Sequence, residues 1–399
     1  MNIKSLQDLL TKCQLDAIIA TTPENVRYFA GKGLGREVRH NRLSTICAIV
    51  DHDPENNGCV VLPHTALGTI AQMKAARDLK LPLIKTYGKY YIEIGEENNL
   101  PDYAEEMVAL LRRIKPVTNP LDAILRALKD AGLTKGKLGI DELGISPRII
   151  AELRDRLPHL EIVEAYDKIR HVRMKKTNEE KEILKRAIHI IEEGVDRTLS
   201  QISLGTRQSE LVRYFNKFAV DCGAIPILTN FRIGPGGGIP DPFPTQEVLS
   251  PGELITYDIV LELEGYHADC ARTAVLGEPT HKQRTYYDSV LAGQQSALEI
   301  VQRGTPCKQI FEVAVETIRN IGIPHYNRND CGHGIGVEVH ELPILAPDSE
   351  ALLEADMVIN VETPYYELGF GCVMVEDTVV VNEFGFEYLT HADRGLRVI

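Results

Sequence analysis

Leu254 to Val275 reads LITYDIVLELEGYHADCARTAV. Two apolar runs rich in β-branched and aromatic residues flank Glu264-Gly265, the pattern of two strands joined by a tight turn. Each run carries one acid in its middle, Asp258 and Asp269, which the hairpin would bring onto neighbouring strands. An ionised carboxylate isolated among such side chains costs several kcal/mol even after relaxation, so each needs a proton, a basic partner or a metal. Arg272 is the basic residue nearest in sequence and is the expected partner of Asp269 if the answer is an ion pair.

The arrangement recurs. MVINVETPYY (357–366) and GCVMVEDTVVV (371–381) place Glu362 and Glu376 in two further apolar runs around a turn-rich segment. Between the acidic hairpins lies CGHGIGVEVHELP (331–343), with His333 between two glycines and His340 seven residues on. Glycines on both sides let the backbone approach closely and leave the imidazole free to act as a ligand. Four like charges meeting in one place require counter-cations. Carboxylates with an imidazole form a mixed hard and borderline set suited to Mn, Co, Fe or Zn, and carboxylates that bridge hold two such ions close together.

Around this core the chain has 399 residues, 44% hydrophobic and 25% charged, an ordinary soluble composition long enough for two domains. A net charge of −13 argues against an extended phosphate-binding surface and hence against nucleic acid as partner. MNIKSLQDLLTKCQL lacks the continuous apolar segment of a secretory signal, and no run suits a membrane span. The eight cysteines are scattered with no CxxC pair, as expected of free thiols in a reducing cytoplasm; Cys270 and Cys331 read as small buried hydrophobes.

The first 165 residues alternate strand-like runs (LDAIIATT, STICAIVD, GCVVLPH) with helical ones (PDYAEEMVALLRRI, PLDAILRALKDAGL), an α/β domain. Residues 166–399 form the second domain, the boundary lying within 165–176. There Thr177 with Glu180 gives a capping-box signature ahead of a long helix, and helices are predicted at about 177–201, 206–222, 281–303 and 307–321 among long strand pairs. The expected second fold is therefore a largely antiparallel sheet covered by helices, an α+β arrangement. GPGGG at 234–238 lacks a following helix, which excludes a nucleotide-binding loop.

The ordered set Asp258, Asp269, His333, Glu362 and Glu376 resembles the metal-ligand pattern of the pita-bread metallohydrolases of peptidase family M24, which includes methionine aminopeptidase, aminopeptidase P, prolidase and creatinase. YHADCART, GHGIGVEVHELP and VEDTVVV look like its ligand segments, RMKKTNEEKEILKRA like the start of its catalytic domain, and PENVRYFAG like the N-terminal domain of the creatinase and prolidase branch. The resemblance implies a creatinase-like N-terminal domain at 1–165 and a pita-bread catalytic domain at 166–399. It further implies two divalent ions: Asp258 on one, His333 and Glu362 on the other, Asp269 and Glu376 bridging. Glu362 would also shuttle the proton, and His340 would hydrogen-bond the substrate carbonyl. The implied activity is hydrolysis of a C–N bond, of the Xaa-Pro dipeptidase or aminopeptidase kind, by a cytoplasmic homodimer.

Some residues depart from that pattern. Asp241, in GGGIPDPFPTQEVLSPGE, stands where a histidine is usual; Met374 stands where an arginine often precedes the last ligand; HELPILAPDSEALLEAD lacks the arginine that grips a dipeptide carboxylate in prolidases. Asp241 is therefore an expected substrate contact, for an amino group or a cationic compound. The alternative activity is a small-molecule hydrolase or lyase acting on ectoine, creatine or another guanidino or cyclic amidine substrate, with a non-catalytic binding protein as a third reading. Arg36, Arg39, His40 and Arg42 form a basic loop that could hold an anion.

Overall fold

Runs that are apolar on every residue need cover on both faces, and the first third of the chain has several. The computed structural model describes residues 1–34, 45–94 and 100–399; the basic loop containing Arg36, Arg39, His40 and Arg42 lies outside the described residues. Two compact units result, Met1–Arg173 and Met174–Ile399. The helix Tyr166–Arg173 packs on Ile3–Cys13 and so belongs to the first unit, which carries it past residue 165.

The first unit is built on six strands: β1 (Ala17–Ala20), β2 (Cys47–Asp51), β3 (Cys59–Pro63), β4 (Leu83–Tyr87), β5 (Gly136–Ile140) and β6 (Leu160–Glu164), ordered β4-β3-β2-β1-β5-β6. β1, β2 and β3 pair antiparallel, and the remaining neighbours pair parallel. Its α/β character matches the alternation read in the sequence.

The second unit holds β7 (Ile225–Ile233), β8 (Leu254–Leu263), β9 (Tyr266–Val275), β10 (His333–Gly334), β11 (Glu341–Ile344), β12 (Val358–Glu362), β13 (Tyr365–Glu367), β14 (Gly371–Val373), β15 (Glu376–Asn382), β16 (Gly385–Tyr388) and β17 (Arg397–Val398). The large sheet runs β11-β10-β12-β15-β9-β8-β7, with β16 beside β15 and β17 beside β9; β13 and β14 form a separate small hairpin. Every pair along the main order is antiparallel. All ten residues of β8 and all ten of β9 are buried, and only Glu264 (φ 50°) and Gly265 (φ 88°) separate them. Positive φ at both central residues is the geometry whose twist matches that of the flanking strands.

Helices cover this sheet. Asn178–Leu199 packs on β8 and β9, Gln208–Asp221 on β7, and His281–Glu299 on β12. The capping box forms as the sequence predicts: Glu180 N–H donates to Thr177 Oγ1 at 3.3 Å, and Thr177 N–H to Glu180 Oε2 at 2.7 Å. Helix Cys307–Ile321 and its partner His281–Glu299 share one apolar core with β12 and β15, through Val290, Ile310, Ile318, Ile359, Val361 and Val379.

Candidate metal centre

Strand register decides which acids meet. Glu362 pairs with Glu376, Glu376 with Ala271, Ala271 with Asp258, and Asp258 with Asn230. Directly paired residues share a face, so these five side chains form one row across β12, β15, β9, β8 and β7. Asp269 lies two residues before Ala271 and projects on the same side. The middle of the row is an alanine. Strands lie about 4.8 Å apart, so Ala271 leaves a gap of roughly 9–10 Å between the backbones bearing Glu376 and Asp258, bordered by acids.

His333 enters from β10, whose Gly334 pairs with Ile359 of β12. Its flanking glycines are demanded by packing: a Cβ at Gly332 (φ +140°) would lie 2.0 Å from the Asn360 carbonyl oxygen, and one at Gly334 would lie 2.2 Å from that of Leu342. Ligand atoms of Asp269, His333 and Glu376 all fall within 4.8 Å of one another, and all three residues are buried.

The electrostatics describe a place short of positive charge. Burial, then the neighbouring Asp258 and Glu362, push the Asp269 carboxyl up. Burial with Asp269, Glu362 and Asp258 does the same to Glu376. Glu362 is pushed up to about 7 by burial and by Asp258 and Asp330, against the pull of Arg328 and Arg232. Burial and the nearby His340 ring, whose centroid is 4.2 Å away, push His333 down to about 4, so its imidazole is neutral and able to ligate.

Asp269 Oδ1 and Glu376 Oε2 are both buried without a hydrogen-bond partner. Buried carboxylate oxygens ordinarily find donors. Two such orphans beside a neutral buried imidazole fit a divalent cation; Asp258 and Glu362 stand outside this trio, in the same strand row, and their charges act on both of its acids. All five residues expected as ligands thus border one region.

Arg272 does not answer the charge. Three residues beyond Asp269 on a strand, it projects from the opposite face. It donates to Asp377 Oδ1 at 2.5 Å, so the expected Arg272–Asp269 pair is replaced by an Arg272–Asp377 pair.

Four residues escaped the sequence reading. Arg232, with 1% of its side chain exposed, donates from Nη2 to Asp258 Oδ2 at 2.9 Å and stands 3.5 Å from Asp241 Oδ1. Burial disfavours its charge, but Asp258 and its hydrogen bond raise the pKa further still. Asn360 donates to Glu376 Oε1 at 2.7 Å and lies 2.8 Å from the Thr378 hydroxyl. Arg328 lies over the Tyr366 ring, 5.7 Å from its centroid. Asn360 and Thr378 stand two residues from Glu362 and Glu376, a period-2 signal that could have found them; Arg328 lies on no strand and gave none. Asp241, at the exposed end of this set (φ 48°), accepts from Asn230 Nδ2 at 2.9 Å.

A sheet that converges carboxylates and one imidazole on a cation-hungry gap defines a metal-dependent hydrolase of the pita-bread fold. Residues 182–383 match metallopeptidase family M24, and the chain belongs to that family. It is 30% identical over 314 residues to the Xaa-Pro dipeptidase of Pyrococcus furiosus, covering 77% of this chain and 89% of that protein. In fold it is similar to the Xaa-Pro dipeptidase from Bacillus anthracis (TM-score 0.79, 21% identity, 100% and 99% of the two chains). It is likewise similar to the X-Pro aminopeptidase from Thermotoga maritima (TM-score 0.76, 22% identity, 100% and 99%). Among the described residues no helix is long and apolar enough to cross a membrane.

Proposed function

We propose that this protein is a metallopeptidase that hydrolyses Xaa-Pro dipeptides with two divalent cations. The observation that carries the reading is the pair of unpartnered buried oxygens, Asp269 Oδ1 and Glu376 Oε2, beside neutral His333. Asp269 and Glu376 would bridge the ions, Asp258 would complete one, and His333 with Glu362 the other. When bound, the ions activate a water and polarise the scissile carbonyl. Four carboxylates balance two divalent charges, which removes the repulsion that otherwise keeps protons on the acids. Oxygen donors with a single imidazole suit manganese, with cobalt, zinc and iron as alternatives.

In the proposed reaction Glu362 takes a proton from the attacking water and passes it to the departing proline nitrogen as the C–N bond breaks. His340, beside His333, hydrogen-bonds the carbonyl oxygen and stabilises the charge that develops there. Asp241, held by Asn230 and 3.5 Å from Arg232, would meet the substrate's amino end. Resemblance to the two-domain branch supports a homodimer. Free cysteines throughout the described residues support the cytoplasm.

The test is protein stripped of metal, reloaded with Mn, Co or Zn, and assayed on Xaa-Pro dipeptides and longer peptides alongside ectoine and creatine. Cleavage of Xaa-Pro dipeptides, with metal content rising to two ions per chain, is expected. Turnover of the cyclic or guanidino compounds alone would overturn the reading.

A further inference from the structure

The first unit's sheet opens at its edge. β4 is the outermost strand, and its Leu83 N–H donates to the Gly58 carbonyl at 3.1 Å, on the β3 side. Alternation along the strand turns the backbone groups of Ile84 and Thr86 the other way. Val117 covers one end of that open side: its N–H donates to the Thr86 carbonyl at 2.9 Å, and its carbonyl accepts from Gly88 N–H at 2.9 Å. A parallel neighbour running on from Val117 would next offer the Lys115 carbonyl to Thr86 N–H. That bond is not made, because the segment peels away from the edge, and the Ile84 and Thr86 N–H groups have no partner among the described residues.

The opening is a cavity of about 370 Å³ between β4, the end of helix Asp102–Arg113 and helix Pro120–Asp130. Lys85, Arg113, Lys115 and Arg126 line it, and no acid does. Lys85 is committed to Asp130, 2.5 Å away. Arg113, Lys115 and Arg126 hold no ion-pair or hydrogen-bond partner among the described residues. The charge of Lys115 is felt at His64, whose pKa is pushed down by burial and then by this lysine. In a chain of net charge −13, three unpaired cations around one cavity make a place short of negative charge.

We propose that this cavity binds a small phosphate monoester. Guanidinium groups pair with phosphate oxygens through parallel N–H···O bonds, and free backbone N–H groups aimed at one place add further anion donors. Three cations balance the near-double charge of a phosphate monoester better than the single charge of a carboxylate. The cavity falls in the range typical of small-molecule sites, about 300–1,000 Å³, and is larger than a bare phosphate ion needs. Leu83, Ile114 and Val117 give an organic body an apolar wall. Every lining residue belongs to the first unit, so the site is no part of the metal centre, which the second unit carries.

The experiment is calorimetric titration of the metal-loaded full chain with phenyl phosphate, inorganic phosphate and benzoate at low salt. Wild type is compared with Arg113→Gln, Arg126→Gln and, as a control for charge lost elsewhere, Lys308→Gln. Both arginines are exposed, so the fold should survive their loss. Phenyl phosphate should bind wild type more tightly than either other compound. Each arginine substitution should weaken that binding by about tenfold, with bound metal and peptidase rate unchanged. Lys308→Gln should leave it as it was. Phosphate held by the metal ions instead would be indifferent to both arginines, and that result would overturn the proposal. So would absence of binding to wild type, equal weakening by Lys308→Gln, or tighter binding of benzoate.

Discussion

Glu376 and Asp377 are consecutive carboxylates on β15, both buried, yet they live in opposite electrostatic worlds. Burial raises the pKa of each. For Asp377 that effect is overcome by Arg272 and Arg394, with Gln294 donating at 2.7 Å and Thr390 at 2.6 Å, and the carboxyl is held below its ordinary range. For Glu376 the neighbours are Asp269, Glu362 and Asp258, and it is driven up. A strand's alternation assigns one residue to each face, so the same peptide carries a finished ion-pair network on one side and an unfinished one on the other. The finished network holds the fold together. The unfinished one awaits cations.

The largest expected effects come from removing each acid in turn. Glu376→Ala should lower kcat/KM by about a thousandfold or more, because the proposed role of Glu376 as a shared metal ligand makes its loss worth several kcal/mol of activation. Metal content should fall with it, while the melting temperature of the cation-free protein stays level or rises, since a buried repulsive charge has gone. Asp377→Ala should do the reverse. It strands Arg272 in the interior and should destabilise the fold by about 3–5 kcal/mol in urea unfolding, with metal stoichiometry retained. If Glu376→Ala proves the more destabilising of the two in the absence of metal, the division between the faces is wrong.

The two faces should also answer pH with opposite slopes. Glu362 carries a folded pKa raised from 4.5 to about 7, so folding takes up a proton there, and stability of the cation-free protein should decline as pH rises through that interval. Asp377 has a depressed folded pKa. Its contribution is present above the ordinary value of 3.8 and is lost as pH falls through the lower folded value. Calorimetry with a chelator should therefore show a melting temperature that falls from pH 4.5 to about 7, and a saturating divalent cation should flatten the profile. A flat profile without metal would mean that the carboxylates are not short of charge.

The sequence made one face far more legible than the other. Asp258, Asp269, Glu362 and Glu376 were visible because acids break an apolar alternation, and His333 because its glycines mark a close backbone approach. The tight turn at Glu264-Gly265 fixed the register of β8 and β9, and with it the face on which both aspartates lie. Arg272 was misassigned because closeness along a strand is not closeness in space: an odd spacing crosses the sheet. Asp377 stood next to an expected ligand and drew no attention, since its partners Gln294 and Arg394 come from distant segments that no local pattern links. Arg232 and Arg328 were hidden for a related reason, the first ahead of a glycine-rich turn and the second on a segment without periodicity.

The smallest predicted effect tests how finely the unfinished face is tuned. Asn360 donates one hydrogen bond to Glu376 Oε1, which leaves Oε2 as the oxygen without a donor. The amide thus selects which oxygen is presented to a cation, and its own orientation is set by the Thr378 hydroxyl 2.8 Å from Oδ1. Groups that orient a ligand in this way commonly contribute about tenfold in metal affinity. Asn360→Ala should therefore weaken metal binding by roughly that factor in a chelator competition titration, with the fold intact and the Asp377 network untouched. Unchanged affinity would mean that strand pairing with Glu362 alone aims the Glu376 carboxylate, and that the asymmetry between its two oxygens has no part in ligation.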